Sequence, residues 1–367
     1  MKANYLVIGS GLFGSVFANL AANAGKRSII LEQRKHHGGN VYTENIEGIH
    51  VHTYGPHIFH TNDETIWDYV NQFSEFVPFT YAPKAYNDDR LYSLPFNMNT
   101  FYELWGATKP DEAITKLNNT TIKVDDPKNL EEQAVSIVGT EVYEKLIKYY
   151  TQKQWMKDPK ELPASIIKRL PVRLTYDNNY FNDKYQGIPK NGYAEFMSKL
   201  IDHELIEYVP NTKYVKGSFE HLAEKIVYTG KIDEYFDYCY GELEYRTLRF
   251  ETEVLDTENY QGIAVINDCT PENPWTRTIE HKHFDKYCTS KKTVITRETP
   301  DVWDRTKVPY YPINDDRNTE LFKKYEALAK QERNVIFGGR LAEYRYYDMH
   351  QVIGSAMAKW RKEHERV

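Results

Sequence analysis

Four histidines crowd the stretch GIHVHTYGPHIFHT: His50, His52, His57 and His60, a third of the 12 in the chain. Imidazoles at this spacing could ligate a metal, relay protons or act as neutral hydrogen-bond partners, and spacing alone does not choose. Zinc would call for further Cys or acidic ligands, and no such partner motif follows. Cys239, Cys269 and Cys288 are scattered without a CxxC. That points to a reducing compartment and away from a structural zinc. No metal is expected.

The second group of residues able to do chemistry is GSGLFG, with Gly9, Gly11 and Gly14 in the GxGxxG pattern. Two glycines would let the backbone turn tightly against a pyrophosphate at a helix N-terminus, and the third would let helix and strand pack closely. Glu32 stands where an acid accepts hydrogen bonds from an adenosine ribose. RKHHGGN follows at once, so Arg34, Gly38, Gly39 and Asn40 form a second glycine-rich turn. This extension is typical of two-domain flavoproteins and points to FAD rather than a nicotinamide dinucleotide. A third signal is GGRLAEYRYYDMHQVIGSAM, where Arg340 follows a glycine pair and a helix begins near Asp348. Aimed at an isoalloxazine ring, that N-terminus would favour an anionic reduced flavin.

The elements that must hold these motifs are legible in texture. NYLVIGSGLFGSVFANLAANAGKRSIILEQR reads strand, glycine turn, helix, strand, with Gly25 stopping the helix. From about Asn62 to Lys168 the pattern turns helical, with a break near Gly139 and N-caps at Asn129 and Thr140. DPKELPASIIKRLPVR, bracketed by Pro159, Pro163 and Pro171, reads as a short helix and a moving flap. After Leu243 come strands in LEYRTLRFETEVL, GIAVIND and KKTVITRE. EKIVYTGKID and NVIFGG look like buried strands returning to the first sheet, and a last helix runs from about Met349 to Trp360 with Asp348 as its N-cap.

Bulk properties set the limits. A chain of 367 residues suggests two or three domains. A net charge of −6 with no long Lys/Arg run disfavours nucleic acid and anionic membranes, so an anionic ligand would be held by a few local arginines. No stretch is apolar enough to span a bilayer, and the cytoplasm is the expected location. Most of the 30 tyrosines must be strand and rim residues, though Tyr also suits a polar, partly buried site.

The segments VIGSGLFG, HHGGN, GPHIFHTND, LPFNMNTF, YTQKQW, LPASIIKRLPVR, DNNYF, YQGIPKNGY, YFDYCYGELEYR, TRTIEHKHF, PYYPIND and GGRLAEYRYYDMHQV occur in one order over nearly the whole chain. In these the sequence closely resembles the bacterial UDP-galactopyranose mutases. The resemblance implies an α/β fold: a discontinuous Rossmann-like FAD-binding domain with an inserted helical domain and an antiparallel β-sheet domain. The expected division is 1–80, 188–240 and 316–367 for FAD, 81–96, 171–187 and 241–315 for the sheet, and 97–170 for the helical domain with its flap. It implies interconversion of UDP-galactopyranose and UDP-galactofuranose, supplying galactofuranose for cell-surface polysaccharide. N5 of reduced FAD would attack the anomeric carbon, NAD(P)H or another reductant would serve the flavin, and a homodimer is expected.

Residue by residue, the resemblance assigns catalysis to Arg169, Arg277 and His60, the two arginines clamping the departing nucleotide. Flavin contacts are Gly9, Gly11, Phe13, Gly14, Glu32, Gln33, Gly39, Asn40, His57, Ile58, Arg340, Tyr347, Asp348, Met349, His350, Gln351 and Val352. Substrate contacts are Tyr81, Leu146, Tyr150, Thr151, Trp155, Asn267, Tyr180, Tyr311 and Tyr346, with both arginines. Tyr150 would stack on uracil, while Tyr180, Tyr311 and Tyr346 would meet the diphosphate. Tyr81 stands where relatives often have Asn, Leu146 replaces a usual Phe, and Tyr149 and Met156 take positions commonly Gly. All four departures fall on the nucleotide side. The competing classes are a flavin oxidoreductase of the amine-oxidase type, which shares the N-terminal fingerprint only, and a non-catalytic FAD-binding protein.

Overall fold

A computed structural model describes residues 2–167 and 171–365. The chain opens as read: strand β1 (Ala3–Ile8), helix α1 (Leu12–Asn23) and strand β2 (Ser28–Leu31). β1 and β2 pair in parallel, and the sheet grows by capture of distant strands. Ile206–Val209 adds beside β2, Ala223–Tyr228 beside β1, and Val335–Phe337 beyond it, all parallel. A sheet covered on both faces needs continuously apolar strands, and Leu6, Val7, Ile30 and Val227 are fully buried. The C-terminal helix Met349–His364 lies on α1, where Trp360 meets Phe17 edge-on at 5.5 Å and Tyr5 at 6.0 Å. It runs a turn past the expected end at Trp360.

A seven-stranded sheet forms the second layer. It is antiparallel except where Val265–Asp268 pairs in parallel with Lys84–Asn87. Tyr245–Leu255 pairs from Thr247 onward with Thr293–Asp301, which pairs in turn with Arg277–Glu280. Within the segment 171–187, expected in this sheet, the only strand is Tyr185–Pro189, and it pairs instead with Phe59–Thr61 and Phe76–Pro78. Register explains this: the strand has the edge of the histidine segment as its partner, not the larger sheet.

Between Met98 and Trp155 the chain forms helices joined by loops, with no strand among these described residues. Asn129 caps the helix Leu130–Val142 by accepting from the Glu132 amide, and Gly139, at φ 79° and ψ 168°, breaks it where expected. The next turn, Tyr143–Ile147, is a π-helix leading into Lys148–Trp155. A one-turn π segment inside a helix re-aims the side chains that follow it, here Tyr150. That helix ends on Met156, at φ 53° in the left-handed region, which favours glycine. Lys153 ties the helices to the large sheet through Asp268 at 2.9 Å and the Trp275 carbonyl at 2.9 Å. The Pro-bracketed segment holds two 3-10 turns, Pro159–Glu161 and Ala164–Ile167. The expected flap residue Arg169 lies outside the described residues.

Candidate active site

The glycine-rich turn between β1 and α1 forms one wall of a cleft of about 890 Å³, at the upper end of the ~300–1,000 Å³ usual for cofactor sites. Gly9, Gly11, Phe13, Gly14, Glu32, Gln33, Gly39, Asn40, His57, Arg340, Met349 and Val352 all line it. The two glycine turns are built against each other: the Gly38 amide donates to the Ser10 carbonyl at 2.9 Å. A Cβ on Gly39 would lie 3.0 Å from the Gly11 Cα. A Cβ on Gly14 would lie 2.9 Å from Val7 Cγ1 and closer still to the Gly9 carbonyl. Gly14→Ala therefore pushes α1 off β1. We expect a cost of about 1–3 kcal/mol in urea unfolding and loss of dinucleotide binding in a titration.

Glu32 is buried, and its carboxylate accepts from the Ser10 amide, the Ser10 hydroxyl and the Arg34 amide at 2.8–2.9 Å. An ionised carboxylate keeps capacity for a further donor. Arg34 donates to Asn40 Oδ1 at 3.0 Å and lies 4.4 Å over the Tyr54 ring, yet its Nη1 is buried without a partner among the described residues. A buried guanidinium nitrogen left open beside a glycine cradle suits a phosphate-bearing ligand.

His57 reaches the cleft as a neutral imidazole. Burial, with Arg340 nearby, lowers its pKa to about 4, and Nδ1 donates to the Gly55 carbonyl at 2.8 Å. The other histidines of the segment diverge from it. His52 is buried and accepts the His57 amide at Nδ1, 3.1 Å. His60 pairs with Asp183 at 2.6 Å. His50, His52, His57 and His60 therefore do not converge on one point. The close trio is instead His60, Asp348 and His350, within 4.8 Å. Asp348 is already engaged there, capping the C-terminal helix in a reciprocal box with Gln351. Ile58 is in the core, and the Tyr347 carbonyl accepts from Arg340 at 2.6 Å.

The substrate-side residues are positioned by strand register. Arg277 stands opposite Asn267 on one neighbour and Glu298 on the other, and Arg246 stands opposite Tyr311. Arg277 Nε lies 3.1 Å from Glu298 Oε1, with side chains 20% and 6% exposed. Its Nη2 is 3.5 Å from the Tyr150 hydroxyl. Burial pushes the Glu298 carboxyl above the ordinary carboxylate range, while Arg277 draws it back. Tyr81 is edge-on to Tyr180 at 5.4 Å, and Tyr311 stacks on Tyr346 at 5.4 Å. Arg340 lies 5.2 Å and 5.6 Å from those last two rings, so one residue joins this cluster to the cleft. Leu146 and Thr151 are buried, and Asn267 Oδ1 is buried without a partner among the described residues.

Two residues with no assigned role belong here. Arg246 lies 3.1 Å over the Trp155 ring, and its Nη2 is buried and unpartnered among the described residues. Burial lowers its pKa, to about 10, so it is charged at neutral pH. Glu298 is the buried counter-charge to Arg277. Alternation in YRTLRFE and KKTVITRE gave no hint of either, because both signals are cross-strand partners.

Comparison with known proteins decides the family. A family model described as UDP-galactopyranose mutase matches residues 145–346, more than half of the chain. The chain belongs to the UDP-galactopyranose mutase family. It is an isomerase of that family, with a Rossmann-like dinucleotide-binding domain whose model matches residues 7–73. It is 41% identical over 363 residues to a dTDP-fucopyranose mutase of Escherichia coli, covering 96% of both chains. A probable UDP-galactopyranose mutase of Klebsiella pneumoniae is also 41% identical, over 96% of this chain and 93% of that one. The UDP-galactopyranose mutase of Mycoplasma pneumoniae is 30% identical over 98% and 95%. A crystal structure of reduced UDP-galactopyranose mutase superposes with a TM-score of 0.75 at 12% identity, over 100% of this chain and 95% of that chain. No helix among the described residues is long and apolar enough to cross a membrane.

Proposed function

We propose that this family member binds FAD and, with the flavin reduced, interconverts UDP-galactopyranose and UDP-galactofuranose. One observation carries the reading: Arg340 lines the dinucleotide cleft and faces Tyr311 and Tyr346 of the arginine–tyrosine cluster. The cleft residues suit FAD through the doubled glycine turn, Glu32 and the open Arg34 nitrogen. Bound and reduced, FAD supplies a nucleophilic N5 for the anomeric carbon. The protein's share is orientation and charge.

Arg277 and Arg246 hold positive charge beside Tyr150 and Tyr311, where a diphosphate gains charge as its bond to the sugar breaks. Fixed guanidinium groups in a partly dry site stabilise that charge without reorganising. Arg169 is assigned to the same clamp by resemblance. Tyr150 offers a face to the base, and the exposed Tyr180 and Tyr346 offer hydroxyls to the diphosphate. His57 stays neutral beside the cofactor, which tolerates a flavin of changing charge. His60 serves the sugar, whose ring exchange moves a proton between two oxygens. On the same reading a nicotinamide or another reductant recharges the flavin, and a cytoplasmic homodimer supplies galactofuranose for cell-surface polysaccharide.

The test is to incubate purified protein, FAD and dithionite with UDP-galactofuranose or, separately, dTDP-fucofuranose, and to resolve the nucleotide sugars. Catalytic conversion of the UDP sugar to pyranose, absent without reductant, is the expected result. A preference for the dTDP sugar would reassign base and sugar while leaving the reaction, and the equal 41% identity to both relatives makes that arm necessary. Oxidised substrate would support the oxidoreductase instead, and unchanged sugars a binding protein.

A further inference from the structure

His60 is held by a relay that begins at a backbone amide. The Lys184 amide donates to Asn62 Oδ1 at 2.8 Å, which fixes the Asn62 side chain, since a backbone N–H can only donate. Asn62 Nδ2 must then donate to Asp183 Oδ1, at 2.6 Å. The other carboxylate oxygen, Oδ2, lies 2.6 Å from His60 Nδ1. A carboxylate accepts only, so Nδ1 carries the proton. The ring is also clamped, stacked on Phe181 at 3.9 Å and 14° and edge-on to His350 at 5.2 Å. Phe181 in turn stacks on Tyr81 at 5.7 Å, which places the imidazole between the substrate tyrosines and the first turn of the C-terminal helix.

We propose that Asp183 is a positioning residue: it holds His60 as the Nδ1–H tautomer and leaves Nε2 as the proton acceptor of the sugar site. The assignment rests on the place given to His60 in the reading above. Exchange of a six-membered for a five-membered ring takes one proton from the hydroxyl that closes the new ring and delivers one to the oxygen released by the old ring. The balance is zero, and no oxidant or reductant enters. An imidazole that accepts and then returns a proton at Nε2 serves both oxygens.

The relay predicts an unusual consequence for Asp183→Asn. Asn62 still presents its NH₂ to position 183, so the new amide must turn its oxygen there and its own NH₂ toward His60 Nδ1. That forces the proton onto Nε2, the wrong tautomer. In ¹⁵N-histidine spectra of the FAD-loaded protein, with His60 assigned by His60→Gln, the unmodified protein should show Nδ1–H and a bare Nε2. D183N should show Nε2–H, with kcat lower by about 10²- to 10⁴-fold and KM little changed. Adding Asn62→Ala frees the amide to rotate, so the double variant should regain Nδ1–H and at least about tenfold in kcat. A merely structural role would make that double variant worse than either single one. An Nε2–H tautomer in the unmodified protein overturns the proposal with no variant needed. So does a D183N protein with unchanged tautomer and kcat, or a double variant no better than D183N. If the protein turns over no sugar at all, the tautomer still decides the role of Asp183, and the reaction alone is rejected.

Discussion

Arg277→Ala is expected to lower kcat/KM by about 10²- to 10³-fold and to destabilise the fold by about 3–5 kcal/mol. The two losses have different causes and can be separated. Glu298 is 4% exposed and directly opposite Arg277 in the sheet, so removing the guanidinium strands a carboxylate in a dry place. Its pKa already lies above the ordinary range through burial, with Arg277 as the counterweight. Arg277→Ala/Glu298→Gln removes the stranded charge and should recover most of the stability in urea unfolding, while activity stays lost. If activity returns with stability, Arg277 is a structural partner of Glu298 and not part of the nucleotide clamp.

Acid should loosen the same sheet well before the carboxylates titrate. His281 and His52 are both 1% exposed, and each uses Nδ1 as an acceptor: His281 from the His52 amide at 3.2 Å, His52 from the His57 amide at 3.1 Å. His281 Nε2 meets the Thr296 hydroxyl at 2.8 Å. Burial lowers the His281 pKa to about 3 and that of His52 well below its usual value, with His281 and His57 adding to the latter. The unfolded chain takes up these protons near pH 6.5, and the folded one only far below. Stability from this pair is therefore fully present above about pH 6.5 and falls as pH drops toward the folded values. Each imidazole contributes up to about 1.4 kcal/mol per pH unit once the pH is below its unfolded pKa, so the pair should lose about 3 kcal/mol between pH 6.5 and 5. Glu280 acts in a lower window. Burial opposes its ionisation, but hydrogen bonds from His283 and the Gln261 and Tyr260 amides bring its pKa down to about 2, so its contribution fades only below about 4.5. Urea midpoints that stay flat from pH 7.5 to 5 would remove the neutral histidine pair from the account.

The order of these effects follows from where charge sits. The buried imidazoles are neutral because burial disfavours their charged form, the buried guanidinium by contrast needs its counter-ion, and Arg246 has no acidic partner among the described residues. Arg246 is instead half-sheltered by the Trp155 ring, a contact that holds a cation without neutralising it.

What was legible in the chain itself was local. The strand, glycine turn, helix and following acid of the first 32 residues are written within one βαβ unit, where Gly14 answers to the Gly9 carbonyl and Val7 a few residues away. The break at Gly139 and the Asp348 cap are also written locally, since helix ends are settled by the residues at them. Family resemblance added the site residues, and the structure brings most of the cofactor set to one cleft. Tertiary structure alone decided the partners. Glu298 meets Arg277 and Arg246 meets Tyr311 because strands distant in sequence pair in one register, and a shift of one residue would turn those side chains to the opposite face. Asp183 meets His60 from the segment just before the strand Tyr185–Pro189, which pairs with Phe59–Thr61. Spacing along the chain carries no record of that register, which is set by which apolar faces are buried together. The chemistry-bearing residues could be named from the sequence, but their protonation states and counter-charges belong to the packed sheet.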